Sequence, residues 1–131
     1  MTAMTDEELM QLARDACEQA YAPYSNIQVG CALISTTGSL FMGCNVENAS
    51  YGLTICAERN AIFSAVGCDG PGFRLAKLAV VAKGLEFPPC GACRQVIAEF
   101  ATPETRVSFL RNGQLTTLSV VELLPAAFTL P

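Results

Sequence analysis

From Leu9 onward the chain repeats apolar residues at helical spacing: Leu9, Leu12, Ala13, Ala16, Cys17 and Ala20 share one face. Thr5 and Glu8 stand three apart, the spacing of a capping box, so residues 5–20 read as an amphipathic helix. "YAPYSN" breaks it, and the next two apolar stretches, "IQVGCALIS" and "SLFMGCNV", read as strands joined by the turn "TTG". "ASYGL" is a loop. Thr54 then suggests itself as the N-cap of a helix from about Ile55 to Val66, and "GCDGPG" ends that unit. "LAKLAVVAK" is apolar almost throughout, as in a strand buried on both faces. A helix over about Gly91–Phe100 follows, with Val96, Ile97 and Phe100 on one side. "RVSFL" and "QLTTL" flank Asn112-Gly113, a strong hairpin signal, and Ser119 with Glu122 makes a second capping box for a short helix ended by Pro125.

The order is therefore α-β-β-α-β-α-β-β-α, which predicts an α/β fold with a helical layer on each side of a sheet. The last two strands are too close in sequence for a crossover and must be antiparallel. At 131 residues, with 51% hydrophobic and 15% charged, one domain over 1–131 is expected. The net charge of −4 argues against a surface that tracks phosphates. "MTAMTDEELM" lacks the basic start and apolar stretch of a secretory leader, so a cytoplasmic protein is expected.

Seven cysteines and no histidine narrow the chemistry. Cys17, Cys31, Cys44 and Cys68 sit among apolar or small neighbours and read as small buried residues. Cys56, Cys90 and Cys93 keep different company: "TICAERNAI" sets Cys56 two residues before Glu58, and "PPCGACRQV" sets Cys90 and Cys93 at i, i+3. Both segments open predicted helices, where unpaired N–H groups and the helix dipole favour thiolate. Three converging thiolates suit zinc and leave a tetrahedral ion one open position. A water at that position would be acidified, and Glu58 is near enough to move its proton without being a ligand. Arg59 is placed to hydrogen-bond the sulfurs and offset their charge. Three other readings stay open at this point: a thioredoxin-like redox pair at Cys90-Gly91-Ala92-Cys93, a structural zinc with Cys44 or Cys68 as fourth ligand, and plain core cysteines.

"CAE" with "PCGAC" is the three-cysteine form of the zinc-deaminase signature. With "YAPYS", "GCNVENASYG", "CAERNA", "PCGACRQV" and "ELLPAAF", the chain resembles the small homotetrameric cytidine deaminases along nearly its whole length. The resemblance implies a three-layer α-β-α cytidine-deaminase fold with a five-stranded mixed sheet. It implies hydrolysis of cytidine or deoxycytidine to uridine or deoxyuridine with release of ammonia, a step of pyrimidine salvage. It further implies one zinc per subunit on Cys56, Cys90 and Cys93, with Glu58 holding the pyrimidine N3 and shuttling protons. Ala57 would offer its N–H to the base O2, and the Pro89 carbonyl would face the leaving amino group. Asn45 and Glu47 would grip the sugar, while Ala49, Tyr51 and Phe128 would reach active sites across subunits.

Two positions depart from the family pattern. Ile27 stands where phenylalanine is common, keeping an apolar wall without an aromatic face and suggesting room for cytidines modified at C4 or N4. Pro88 stands where serine is usual and is expected only to stiffen the loop. A polynucleotide deaminase is disfavoured by the negative charge, the tight hairpin and the "NVEN" block. An inactive zinc-stabilised binding module would have no use for Glu58.

Overall fold

Thr5 caps the first helix as its spacing requires: its hydroxyl accepts the Glu8 N–H and the Glu8 carboxylate accepts the Thr5 N–H. The computed structural model describes residues 4–131, so the first three residues of the polar opening stretch lie outside the described residues. Helix α1 spans Asp6–Ala16, and a single 3-10 turn, Cys17–Gln19, replaces the end of the expected helix. The chain leaves the helix there because Tyr21 pairs with the segment after the second strand: its N–H donates to Asn45 and its carbonyl accepts from Glu47.

Strands β1 (Val29–Ser35), β2 (Leu40–Cys44), β3 (Leu75–Ala82), β4 (Ala101–Arg111) and β5 (Gln114–Ser119) form one sheet in the order β2-β1-β3-β4-β5. Only β3 and β4 pair in parallel, joined through helix α3 (Gly91–Phe100); the other three pairings are antiparallel. Asn112 and Gly113 both have positive φ, 53° and 76°, which is the backbone a two-residue hairpin turn needs. Helices α2 (Ala57–Asp69) and α4 (Val120–Leu123) complete the predicted order.

Side-chain alternation divides the sheet between two cores. Cys31 and Leu33 of β1 and Leu78 and Val80 of β3 join Ala61, Ile62, Ile97 and Phe109 on the α2 and α3 side. Ala32, Ala79 and Val81, one residue out of phase, meet Leu9, Met10 and Ala13 of α1. Each fully buried Leu or Ile contributes about 1.5–3 kcal/mol, so these faces rather than helix propensity hold the layers.

Boundaries moved where tertiary pairing overrode local signals. Ile55 exchanges two backbone hydrogen bonds with Val46, so α2 begins at Ala57 and its N-cap is Cys56, not Thr54. The strand expected over "RVSFL" starts earlier, at Ala101, and includes Pro103; it bulges so that Leu75 faces Ala101 while Lys77 faces Arg106, and the Thr105 hydroxyl donates to the Leu75 carbonyl at 2.5 Å. Cys17 and Cys31 are buried as expected and Cys44 is partly so, but Cys68 is exposed. It lies on the last turn of α2, which runs past Ala65 and buries no further residue.

Two glycines set how closely the helices approach. A Cβ on Gly30 would lie 1.9 Å from the Ala13 carbonyl of α1, and one on Gly43 would lie 2.7 Å from the Ala57 carbonyl and 2.5 Å from the Ala61 nitrogen of α2. Backbone cannot yield as a side-chain end can. Gly43→Ala is therefore expected to lift the first turn of α2 and to cost about 1–3 kcal/mol in denaturant unfolding. Because that turn carries Glu58, the folded fraction should also be less active. Unchanged stability and activity would contradict this seating of α2.

Candidate metal centre and active site

Two helix starts meet at the ends of α2 and α3. Cys56 is the N-cap of α2, and its sulfur makes no capping bond to the helix backbone. Cys90 is the N-cap of α3, and its Sγ accepts the Cys93 N–H at 3.4 Å. Cys93, one turn on, is buried. The Cys56 and Cys90 sulfurs are 3.9 Å apart, and all three Sγ atoms lie within 4.8 Å of one another. Zinc–sulfur bonds of about 2.3 Å at tetrahedral angles place sulfurs about 3.8 Å apart, so the three residues fit a zinc ion with little adjustment. These three form the one such cluster found among the described residues, which leaves Cys44 and Cys68 outside any fourth-ligand role.

The electrostatics favour thiolate. Cys56 is drawn down to about 5, first by a hydrogen bond from the Cys93 thiol and then by Arg59, against the cost of burial. Cys93 is pushed up by the same shared proton, by burial and by Glu58. Without a metal the pair thus carries its negative charge on Cys56, where Arg59 Nη2 donates to Sγ at 3.3 Å. Among the described residues, Arg59 Nε is the one buried side-chain donor with no hydrogen-bond partner.

Glu58, the second residue of α2, is 3% exposed. Burial is the main force that raises its carboxyl to about 7, with the Cys56 charge adding to it. A carboxyl poised near neutrality can both take and return a proton. Ala57 beside it is fully buried, and as the first helical residue its N–H has no partner within the helix.

Glu58, Cys56, Ala57 and Cys90 line a cavity of about 360 Å³, whose other walls are Val29, Asn45, Thr54, Phe87 and Pro88. Asn45 is held at both ends of its amide: Oδ1 accepts the Val29 N–H at 2.8 Å and Nδ2 donates to the Ile27 carbonyl at 2.8 Å. Glu47 lines an adjoining hollow of about 380 Å³ with Tyr24, Ser25, Asn48 and Tyr51, and Thr54 borders both. Its carboxylate accepts the Ser25 hydroxyl, the main cause that holds it below the usual carboxylate range, and then the Ser25 and Tyr24 N–H groups. An amide and a charged carboxylate therefore stand, pre-oriented, beside the buried site.

Other predicted positions lie differently. Ile27 packs, half-buried, against the core on the α2 side and is not among the cavity walls. Pro89 is fully buried and its carbonyl accepts Arg94 Nε at 2.7 Å; Pro88 is the cavity-lining proline. Ala49 is exposed, as are Tyr51 at 76% and Phe128 at 70%, and neither Ala49 nor Phe128 lines the two hollows within this chain. Phe128 is tethered through its carbonyl, which accepts Gln95 Nε2 at 3.1 Å.

Residues 3–109 match the family model described as the cytidine and deoxycytidylate deaminase zinc-binding region. The chain belongs to that family. It is 48% identical over 128 residues to a cytidine deaminase of Halalkalibacterium halodurans, covering 96% of each chain. It is 42% identical over 118 residues to that of Mycobacterium tuberculosis, covering 90% of this chain and 85% of the relative. Among solved structures, the cytidine deaminase of Burkholderia pseudomallei superposes with a TM-score of 0.86 at 48% identity, covering 95% of this chain and 100% of that one. The Mycobacterium tuberculosis structure gives 0.82 at 40% identity, covering 97% and 100%. The cysteine cluster is thus the zinc site of a deaminase-family enzyme, and the redox-pair and plain-core readings of the cysteines fall away. No helix among the described residues is long and apolar enough to cross a membrane.

Sequence reasoning missed Phe87, Val29, Thr54 and Arg94. Phe87 did carry a signal: it stands directly before Pro-Pro-Cys, in the segment that supplies two of the three clustered cysteines.

Proposed function

We propose that this chain, as a single deaminase domain over 1–131, hydrolyses cytidine and deoxycytidine to uridine and deoxyuridine with release of ammonia. The observation that carries the reading is Glu58, a carboxyl only 3% exposed that shares one cavity with two cysteines of the zinc site. Held by Cys56, Cys90 and Cys93, zinc would acidify a water at its fourth position and so supply a nucleophile at neutral pH.

The protein's own groups do the rest. Glu58 takes one proton from the attacking water and delivers it to the pyrimidine N3, which keeps it in the product. As the C4–N4 bond breaks, Glu58 relays the second water proton to the amino group, which departs as ammonia, and C4 becomes a carbonyl. The Ala57 N–H, at the positive end of α2, suits the base O2. Asn45 retains one free amide N–H and Glu47 further lone pairs, a donor and an acceptor fit for sugar hydroxyls. The Pro89 carbonyl, one lone pair of which takes Arg94 Nε, would face the leaving amino group, and Pro88 lines the cavity beside it. Arg59 restrains the thiolates and lowers the negative charge beside the developing oxyanion.

The assembly proposed is a homotetramer in which Ala49, Tyr51 and Phe128 complete neighbouring sites. Large exposed apolar side chains at Tyr51, Leu53, Val121 and Phe128 support an interface of this kind. A cytoplasmic location suits a site built on reduced thiols.

The test is the ultraviolet change when zinc-loaded protein is incubated with cytidine, with ammonia measured in parallel. Equal loss of cytidine and gain of ammonia and uridine is expected. Zinc-loaded, folded protein that turns over neither cytidine nor deoxycytidine would overturn the reading.

A further inference from the structure

The cavity that holds Glu58 is lined by one aromatic side chain, Phe87, and the loop that carries it is anchored on both sides. On its N-terminal side, the Glu86 carboxylate accepts the Gly113 N–H at 2.9 and 3.2 Å, tying the loop to the tip of the β4–β5 hairpin. On its C-terminal side, Pro88 and Pro89 have fixed φ, and Arg94 clamps the Pro89 carbonyl while its Nη1 donates to the Leu123 carbonyl at 2.7 Å. A loop anchored at both ends thus presents Phe87 immediately before the metal-binding Cys90. The ring is 37% exposed although apolar, and it borders the cavity. Bracing the segment before Cys90 serves the metal site and at the same time fixes where Phe87 stands at the cavity edge. A planar ligand would make use of that placement, since aromatic pairs gain from ring contact beyond simple burial.

The geometry points to Phe87 as a specificity-determining residue, the aromatic wall against which the pyrimidine ring packs at its reacting end. This rests on the nucleoside-deaminase reading and deepens it. The reacting carbon has to lie by the cysteines, and Phe87 shares their segment, so the ring meets the base rather than the sugar. Asn45 and Glu47 hold the sugar side from β2 and the segment after it. The two ends of a nucleoside are thereby read by separate parts of the chain.

The experiment compares planar uridine with 5,6-dihydrouridine, whose saturated ring cannot stack, as ligands of zinc-loaded protein measured by calorimetry. Phe87→Leu keeps apolar bulk and removes the π face; Leu85→Ala, in the same loop but outside the cavity walls, is the control. Phe87→Leu is expected to weaken uridine about 3- to 10-fold and dihydrouridine less than about 2-fold, with cytidine KM rising more than kcat falls. Leu85→Ala should leave the ratio of the two affinities unchanged. Equal weakening of both ligands would make Phe87 mere bulk and overturn the proposal, as would no weakening of either. Because Phe87 lies at the surface, Phe87→Leu should fold, and an unchanged unfolding midpoint checks it. Should the unaltered protein bind neither ligand and release no ammonia from cytidine, the deaminase reading itself fails, a result distinct from an unaltered ligand ratio in an active enzyme.

Discussion

Glu58→Gln is expected to keep its zinc and its fold and to lose between about 100- and 10,000-fold in kcat on cytidine. Glutamine fills the same space and still forms hydrogen bonds, so uridine affinity should change far less than turnover. It cannot take a proton from water or return one, and the proposed reaction needs that transfer twice. Metal analysis should find the same zinc content, because the three sulfurs alone make up the ligand cluster. The same substitution has a second signature in metal-stripped protein. Burial raises the Glu58 carboxyl from its ordinary 4.5 to about 7, so the folded state binds this proton more tightly than the unfolded chain does. Below about pH 4.5 the group is protonated in both states and costs nothing. As pH rises from about 4.5 to about 7 the folded protein loses stability, by an amount on the order of 3 kcal/mol in all, and above that the loss is complete. Glutamine never charges, so the variant should be more stable than its parent at pH 8 and equal to it at pH 4. A variant that keeps full turnover would remove Glu58 from the mechanism.

What the chain declares about itself follows from range. The metal cluster was legible because each part is local: Cys56 and Glu58 lie within one turn, Cys90 and Cys93 within another, and helix starts favour thiolate whatever surrounds them. The sheet order was legible in part for the same reason, since Asn112-Gly113 dictates a hairpin by its backbone alone. Features decided by distant partners were not. Nothing near Thr54 says that Ile55 pairs with Val46 and pushes the cap on to Cys56. Nothing near Pro103 says that Leu75 waits across a bulge. The family resemblance makes Ile27 a pocket wall; within this chain it packs against the core on the α2 side, and the aromatic residue that lines the cavity is Phe87, sixty residues on. Pro89 and Pro88 illustrate the finest limit: adjacent residues of one type, of which one is buried with its carbonyl on Arg94 and the other lines the cavity.

Removing a single sulfur should empty the metal site. Cys56→Ala, Cys90→Ala and Cys93→Ala are each expected to lower zinc affinity by more than the roughly 100-fold that loss of a supporting partner costs, because each removes a ligand itself. Cytidine turnover should fall to background in all three, and added zinc should not restore it. Of these, Cys93→Ala is the most informative, because it also changes the chemistry of a neighbour. In metal-stripped parent protein, Cys56 is drawn down to about 5, first by the Cys93 thiol that donates to it and then by Arg59. Its reaction with an alkylating agent should therefore be at full rate by pH 7 and should titrate near pH 5, and bound zinc should block it. In Cys93→Ala the hydrogen bond is gone, so the midpoint should move up toward the ordinary thiol value and zinc should no longer protect. Arg59→Gln should also move the midpoint up, because it removes the cation at 3.3 Å from the sulfur, yet it leaves all three ligands in place. Zinc protection should then survive in Arg59→Gln and be absent in Cys93→Ala, although both raise the same midpoint. That contrast separates a sulfur that binds the metal from a charge that merely steadies it. A Cys93→Ala protein that kept one zinc per chain would mean that the buried third sulfur is no ligand at all.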